Sequence, residues 1–300
     1  MTRHGGDPLP ASTWTTLRVG DRVAVVTPAS PTSATALQRG LDSLRQWGLV
    51  PVVGSNLSVG DSMLAGSDAA RADDLMHAFL DPEVAAVFCA DGGYGSMRVL
   101  DLLDWDALAQ VGPTPVIGFS DNTALLVNLW ARLGWESIHG PHVAGALAEP
   151  LVHPEAVESL RRILFGPAGE SRMVARHTTH PEASCSGAVL VGNLTMLAAV
   201  LPVLPPPEFS LILAVEDVNE APYRVDRCLV QLHRSGWLER VTAIALVPLT
   251  IWFAASIVVH TGNDYSTFIA WLRTPISTIL TVLLLTGLFH HTALGLQVVI

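Results

Sequence analysis

The chain has 300 residues, 50% of them hydrophobic, and 17 basic against 27 acidic side chains give it a formal charge of −10 at neutral pH. Phosphate contacts need clustered positive charge, so this balance excludes a nucleic-acid partner. The length suits about two domains, and the first 240 residues alone could bury an ample core.

In chain order, the N-terminal MTRHGGDPLPASTW lacks the apolar stretch of a signal peptide, so residues 1–240 are expected in the cytoplasm. Residues 22–26 read as a buried strand running into the loop Thr27-Pro28-Ala29-Ser30-Pro31. Over 33–47, Leu37, Leu41 and Leu44 mark one face of a helix. A strand at 49–53, a helix at 69–80, a strand at 84–89, a Gly-rich turn at 91–96 and a helix through Leu103 follow. Then come a strand at 114–119 and a helix starting near Asp121. Such alternation implies parallel strands joined by right-handed crossovers, hence a Rossmann-like, doubly wound α/β domain over 1–150 with its site at the carboxyl ends of the strands.

Past a looser stretch at 150–181, which holds a short helix at 155–164, a smaller second domain is expected over 151–240. Its strands are 187–191 and 211–215, and its helices 193–201 and 225–233, the latter ending at Ser235-Gly236. Cys89, Cys185 and Cys228 are odd in number and lack metal-ligand spacing, so free structural thiols in a reducing compartment are expected, with no metal.

After Arg240 the composition changes. Residues 241–300 contain one basic residue, Arg273, and one acidic residue, Asp264. The uncharged runs 241–263 and 274–300 each exceed the roughly 20 apolar residues that cross a bilayer. A two-helix transmembrane-like hairpin, joined by a link over 261–273 and associating the chain with a membrane, is therefore expected.

The most chemical segment is Val116-Ile117-Gly118-Phe119-Ser120-Asp121-Asn122-Thr123. A serine in a tight turn between a buried strand and a helix is lifted into the cleft beside the helix N-terminus, a setting that suits a nucleophile; Ser-Asp is also an ordinary helix cap. Asp91-Gly92-Gly93-Tyr94-Gly95-Ser96 could present backbone N–H groups to an oxyanion, cradle a phosphate, or simply turn. Glu216, ending a strand before Asp217, could orient a catalytic base or be a structural carboxylate paired with Arg.

GDRVAVVTPASP, LAGSDAARADDLMHAF, DGGYGSMRVLDLLD, GFSDNTALL, SIHGP, GNLTMLAAVL and VEDVNEAPYRVDR, together and in this order, resemble the LD-carboxypeptidase family of serine peptidases, over about residues 17–238. The resemblance implies cleavage of the L,D-peptide bond of muropeptides without a cofactor. It implies Ser120 as nucleophile, the N–H groups of Gly93 and Asp121 as oxyanion hole, Glu216 as the group orienting the base, a β-rich second domain and a homodimer. The family's base is a histidine in a Gly-rich loop well beyond the Glu216 position, and no such loop follows Leu238, so an impaired enzyme is expected. His290 and His291 lie in an uncharged run and are not taken as substitutes, while His139 and His233 read as surface or supporting histidines.

RVTAIALVPLTIWF, FIAWLRTP and LLTGLFHHTALGLQVVI resemble the haem-binding membrane anchor of succinate dehydrogenase, over about 240–300. This second resemblance implies His291 as an axial ligand of haem b, with a partner protein supplying the other ligand. The whole chain thus reads as a chimera of two truncated proteins joined near 238–246, with a membrane-tethered muropeptide-binding module or an anchor fragment as alternative functions.

Overall fold

The computed structural model describes residues 15–57, 62–166, 188–209, 211–238, 265–274, 277–278 and 280–281. Strands β1 (Arg22–Val26), β2 (Val50–Val53), β3 (Val84–Cys89), β4 (Val116–Gly118) and β5 (Ile138–His139) form one parallel sheet in the order β2-β1-β3-β4-β5. Residues 23–26 of β1 and VAAVFC of β3 are unbroken apolar runs because these inner strands are covered on both faces. Alternate residues of β1 serve opposite sides, in keeping with the two-residue period of a strand. Val23 and Val25 pack with Leu37, Leu41 and Leu44 of helix α1 (Ala34–Gln46). Ala24 and Val26 belong to the core that holds Leu75 and Phe79 of α2 (Asp68–Leu80). Both helices begin at serines, Ser33 and Ser67, whose side-chain oxygens accept the Ala36 and Ala70 N–H groups at 3.4 and 3.1 Å.

Between β3 and β4 lie two short helices, α3 (Ser96–Val99) and α4 (Trp105–Leu108). The helix expected through Leu103 is thus a single α-turn followed by a 3₁₀ turn, Leu100–Leu102. The next helix starts anew at Asp104, whose carboxylate accepts the Ala107 N–H at 2.9 Å. Helix α5 (Thr123–Leu133) follows β4 and ends at Gly134 in the left-handed conformation, and α6 (Pro154–Phe165) lays Val157, Leu160 and Leu164 on the α1 side of the sheet.

A second, two-stranded parallel sheet pairs β6 (Ala188–Asn193) with β7 (Leu211–Glu216), linked through α7 (Leu194–Val200) and followed by α8 (Pro222–Arg234). Leu190, Leu194, Leu197, Leu232 and Trp237 join the core that contains Leu125 and Leu129 of α5, so one apolar cluster runs from the large sheet into the small one. The Asn193 N–H donates to Thr123 Oγ1 at 3.0 Å, bringing the end of β6 to the start of α5.

In the stretch expected to be a plain link between membrane spans, Tyr265–Leu272 form a helix, α9. Its sequence, YSTFIAWL, contains no Gly or Pro to interrupt a turn. Among the described residues no helix is long and apolar enough to cross a membrane. The run 241–263, nearly all of 274–300, His290, His291 and Cys185 lie outside the described residues.

Candidate active site

With strand order 2-1-3-4-5, the crossovers leave in opposite directions at β1 and β3, and a crevice opens there at the carboxyl ends of the strands. The loop 27–31 after β1 and the turn 91–96 after β3 meet across it. The Ser30 N–H donates to Gly92 O at 3.1 Å, and the Tyr94 N–H donates to Ser30 Oγ at 3.0 Å. Below them, the fully buried Arg71 guanidinium donates from Nη1 to Gly95 O at 2.9 Å and to Pro28 O, and from Nη2 to Asp68. One cation thereby ties both loops together.

Gly93 sits at φ +97° on the exposed rim of this turn, a backbone region that an L side chain rarely adopts. No acceptor for its N–H stands among the described residues. Gly92 is buried, and a Cβ there would come within 2.9 Å of His142 Cε1 and 3.5 Å of Ser120 Oγ. Glycine is what lets the turn approach the serine.

Ser120 follows β4 at φ +58°, left-handed and non-glycine, at the start of a 3₁₀ turn that leads into α5. A helix cap has an extended backbone, as Ser33 and Ser67 do at ψ 126° and 155° with negative φ; Ser120, at φ +58°, does not. The strain is that of a nucleophile elbow, and it is held from both sides. The Ser96 N–H donates to Asp121 Oδ2 at 2.7 Å and its hydroxyl to Asp121 O, while Asn122 Nδ2 donates to Asp91 O at 2.9 Å. Asp121 is therefore buried beside Ser120 with its carboxylate turned into α3. The Ser120 hydroxyl has no hydrogen bond among the described residues.

Glu216 ends β7, opposite Asn193 in the strand register. Its Oε1 is buried without a partner, and burial, opposed by the Asn193 amide and helped by the Asp217 charge, raises its pKa above the usual carboxylate value. Among the described residues no arginine pairs with it; Arg224 faces Glu220 instead, at 3.5 Å. The nearest cationic candidate is His139, whose Nε2 lies 3.9 Å from Glu216 Oε1 and whose Nδ1 is buried and unpartnered. Burial lowers the His139 pKa from 6.5 to about 4, so the ring is neutral at pH 7. His139 thus lies largely buried beside Glu216 rather than on the surface.

The residue that sequence reasoning passed over is His142. It is 3% exposed, stacks on Phe119 with ring centroids 4.2 Å apart, and contacts both Asn122 and Asp91. Only its place three residues after His139, in the loop leaving a strand end, could have drawn attention to it.

A doubly wound parallel sheet carrying a serine on a strained strand-to-helix turn, beside a glycine turn with a free N–H, is an arrangement that suits a serine hydrolase. Residues 23–140 match the LD-carboxypeptidase N-terminal domain and 186–259 the LD-carboxypeptidase C-terminal domain. A Streptomyces coelicolor protein assigned to the carboxypeptidases is 45% identical over 235 residues, 77% of this chain and 75% of that one. The murein tetrapeptide carboxypeptidase of Pseudomonas aeruginosa is 36% identical over 251 residues, 80% of each chain. Among solved structures, the muramoyltetrapeptide carboxypeptidase of Oxalobacter formigenes superposes with a TM-score of 0.63 at 30% identity, over 73% of each chain. The chain belongs to the LD-carboxypeptidase family, a family of cofactor-free serine peptidases. Residues 232–300 match a different pattern, the succinate dehydrogenase/fumarate reductase transmembrane subunit, which overlaps the carboxypeptidase match over 232–259.

Proposed function

We propose that this chain acts on the L,D-peptide bond of muropeptides, releasing a terminal D-amino acid, with Ser120 as nucleophile and with turnover limited by a missing base. The observation that carries the reading is the left-handed Ser120 backbone at the crevice. Attack of Ser120 Oγ on the scissile carbonyl develops an oxyanion, which the Gly93 and Asp121 N–H groups stabilise. The serine proton must go to a base and then to the leaving amine, after which water hydrolyses the acyl-enzyme. Glu216 is the group we assign to orient that base. Its Oε1, buried without a hydrogen bond and 3.9 Å from the neutral His139 ring, supports a role as acceptor for a base histidine.

Without the base the hydroxyl stays protonated, and the rate should fall at least about a thousandfold below that of an intact relative. Release of D-alanine from a muramoyl tetrapeptide, abolished by Ser120→Ala, tests this. Turnover near that of an intact relative, lost on His290→Ala or His291→Ala, would show that the tail supplies the base and would sink the reading.

The match over 232–300 favours a second element: residues 241–300 as an anchor-like hairpin, making the chain a chimera that tethers a cytoplasmic muropeptide-binding module to a membrane. His291 would lack its partner ligand for haem b, so neither the full chain nor a shorter one should bind haem tightly. The full chain should pellet with membranes and a chain ending at Leu238 should not. A full chain that stays monomeric in detergent-free buffer would refute the tether.

A further inference from the structure

We propose that His142 is a positioning residue that holds the Ser120 turn in its strained geometry by acting as a bare acceptor at Nε2. The inference rests on Ser120 being the nucleophile. Two donors converge on that one nitrogen, Asn122 Nδ2 at 2.9 Å and the Phe119 N–H at 3.3 Å. Asn122 Nδ2 also donates to Asp91 O at 2.9 Å, which fixes the direction of its amide. A nitrogen facing two donors cannot carry a proton of its own, so Phe119 O, 3.1 Å away, is not its acceptor. The proton therefore sits on Nδ1, which lies 3.7 Å from Asp91 Oδ1.

Asp91 is itself pinned, accepting the Gly92 N–H at 2.8 Å and the Thr32 hydroxyl at 3.0 Å. The imidazole thus bridges the glycine turn to the nucleophile turn. It grips the residue before Ser120 and the one two places after it, and the ring of Phe119 lies against its face. A serine at φ +58° relaxes unless its neighbours hold it; His142 reaches both flanks, and Asn122 Nδ2 adds a longer bond to Phe119 O at 3.4 Å. The charged and titratable groups facing it are Asp91 and His139. His142 is not a candidate base, because Nε2 is occupied by backbone and amide donors and Nδ1 faces a carboxylate.

The test compares His142→Leu, which keeps bulk and loses the acceptor, with His142→Gln, which offers an amide oxygen. D-alanine release from a muramoyl tetrapeptide by the full chain is followed at several substrate concentrations, with Ser120→Ala as control and thermal unfolding of every variant. A slow parent suffices, since a rate about a thousandfold below an ordinary enzymatic turnover is still measurable. We expect kcat to fall about 10- to 100-fold in His142→Leu with KM nearly unchanged, because misplacing a reacting atom by about 1 Å costs up to a hundredfold. His142→Gln should recover most of that loss. On the parent, ¹⁵N-histidine NMR should show His142 as the Nδ1–H tautomer at pH 7, a readout that needs no variant to fold. An Nε2–H tautomer, equal losses in the Leu and Gln variants, or an unchanged kcat in His142→Leu while Ser120→Ala is dead would each overturn the role of His142 alone. Release that survives Ser120→Ala would remove the nucleophile and this inference together.

Discussion

Replacing Gly93 by alanine tests the oxyanion turn on stability and chemistry at once. At φ +97° an alanine costs about 1–2 kcal/mol of backbone strain. Its Cβ would stand 2.3 Å from Ser30 Oγ and 2.6 Å from Ser30 Cβ, so Ser30 must move. That hydroxyl donates to Met63 O at 2.7 Å and accepts the Tyr94 N–H at 3.0 Å, and the two bonds contribute about 1 kcal/mol each. The sum is about 3–4 kcal/mol, and at roughly 2–4 °C per kcal/mol for a unit of this size the melting temperature should drop by about 6–16 °C. If the Gly93 N–H receives the oxyanion, displacing it should also cost about 100- to 1,000-fold in kcat. Circular dichroism melting and D-alanine release measure the two effects. A melting temperature within about 2 °C of the parent would refute the steric argument, and an unchanged kcat in a destabilised variant would refute the oxyanion role.

Ser120→Gly should abolish D-alanine release while raising stability by up to about 1 kcal/mol, since glycine relieves the left-handed strain; Ser120→Ala should abolish release without that gain, and urea unfolding of the pair decides it. Arg71→Met should destabilise by about 3 kcal/mol or more in urea, because Gly95 O and Pro28 O lose a buried cationic donor; a midpoint within error of the parent would show that Arg71 merely fills space. Stability should also fall on acidification: unfolded His139 takes up a proton near pH 6.5 and the folded ring resists to about 4, so up to about 3 kcal/mol present above pH 6.5 is lost as the pH approaches 4. His142, also lowered by burial, adds in the same direction, whereas the raised pKa of Glu216 acts oppositely. His139→Gln should flatten the slope between pH 6.5 and 4.5, and an unaltered slope would contradict the assignment.

The strands were legible because a doubly covered parallel sheet demands apolar runs, and VAVV and VAAVFC are short, rich in β-branched valine and bounded by turn residues. β5 was not: Ile138–His139 is two residues long, half-buried, and defined only by its pairing with Ile117 and Gly118. His139 and His142 stayed inconspicuous with it, since nothing in a short loop announces that β4 and β7 end on either side. Arg71 was hidden for another reason. In ARADDL a charged residue reads as a solvated helix face, and its complete burial follows only from two loops converging on its guanidinium from different strands. Composition and spacing left open whether Ser120 caps a helix or acts as a nucleophile, and the backbone angle that argues against the cap is one that no side-chain pattern encodes.

Those contacts also divide the site into parts of different origin. The groups that strain Ser120 and shape the glycine turn, Arg71, Ser30, Asp91, Ser96, Asn122 and His142, lie within residues 23–142, nearly all of them inside the stretch that matches the N-terminal carboxypeptidase domain. Glu216 alone is contributed by the second sheet, and it reaches the crevice because Asn193, its neighbour in register, is tied to Thr123 at the start of α5. The strained Ser120 turn and the proposed oxyanion donors can therefore persist without a base, since no hydrogen bond described as holding them comes from the base side. On the proposed reading such a chain retains a preorganised cleft with little turnover. Its affinity for a muropeptide should then be reduced far less than its rate, and equilibrium binding to the Ser120→Ala chain measures that difference directly; an affinity lost in parallel with the rate would mean that the missing part builds the cleft as well as the base.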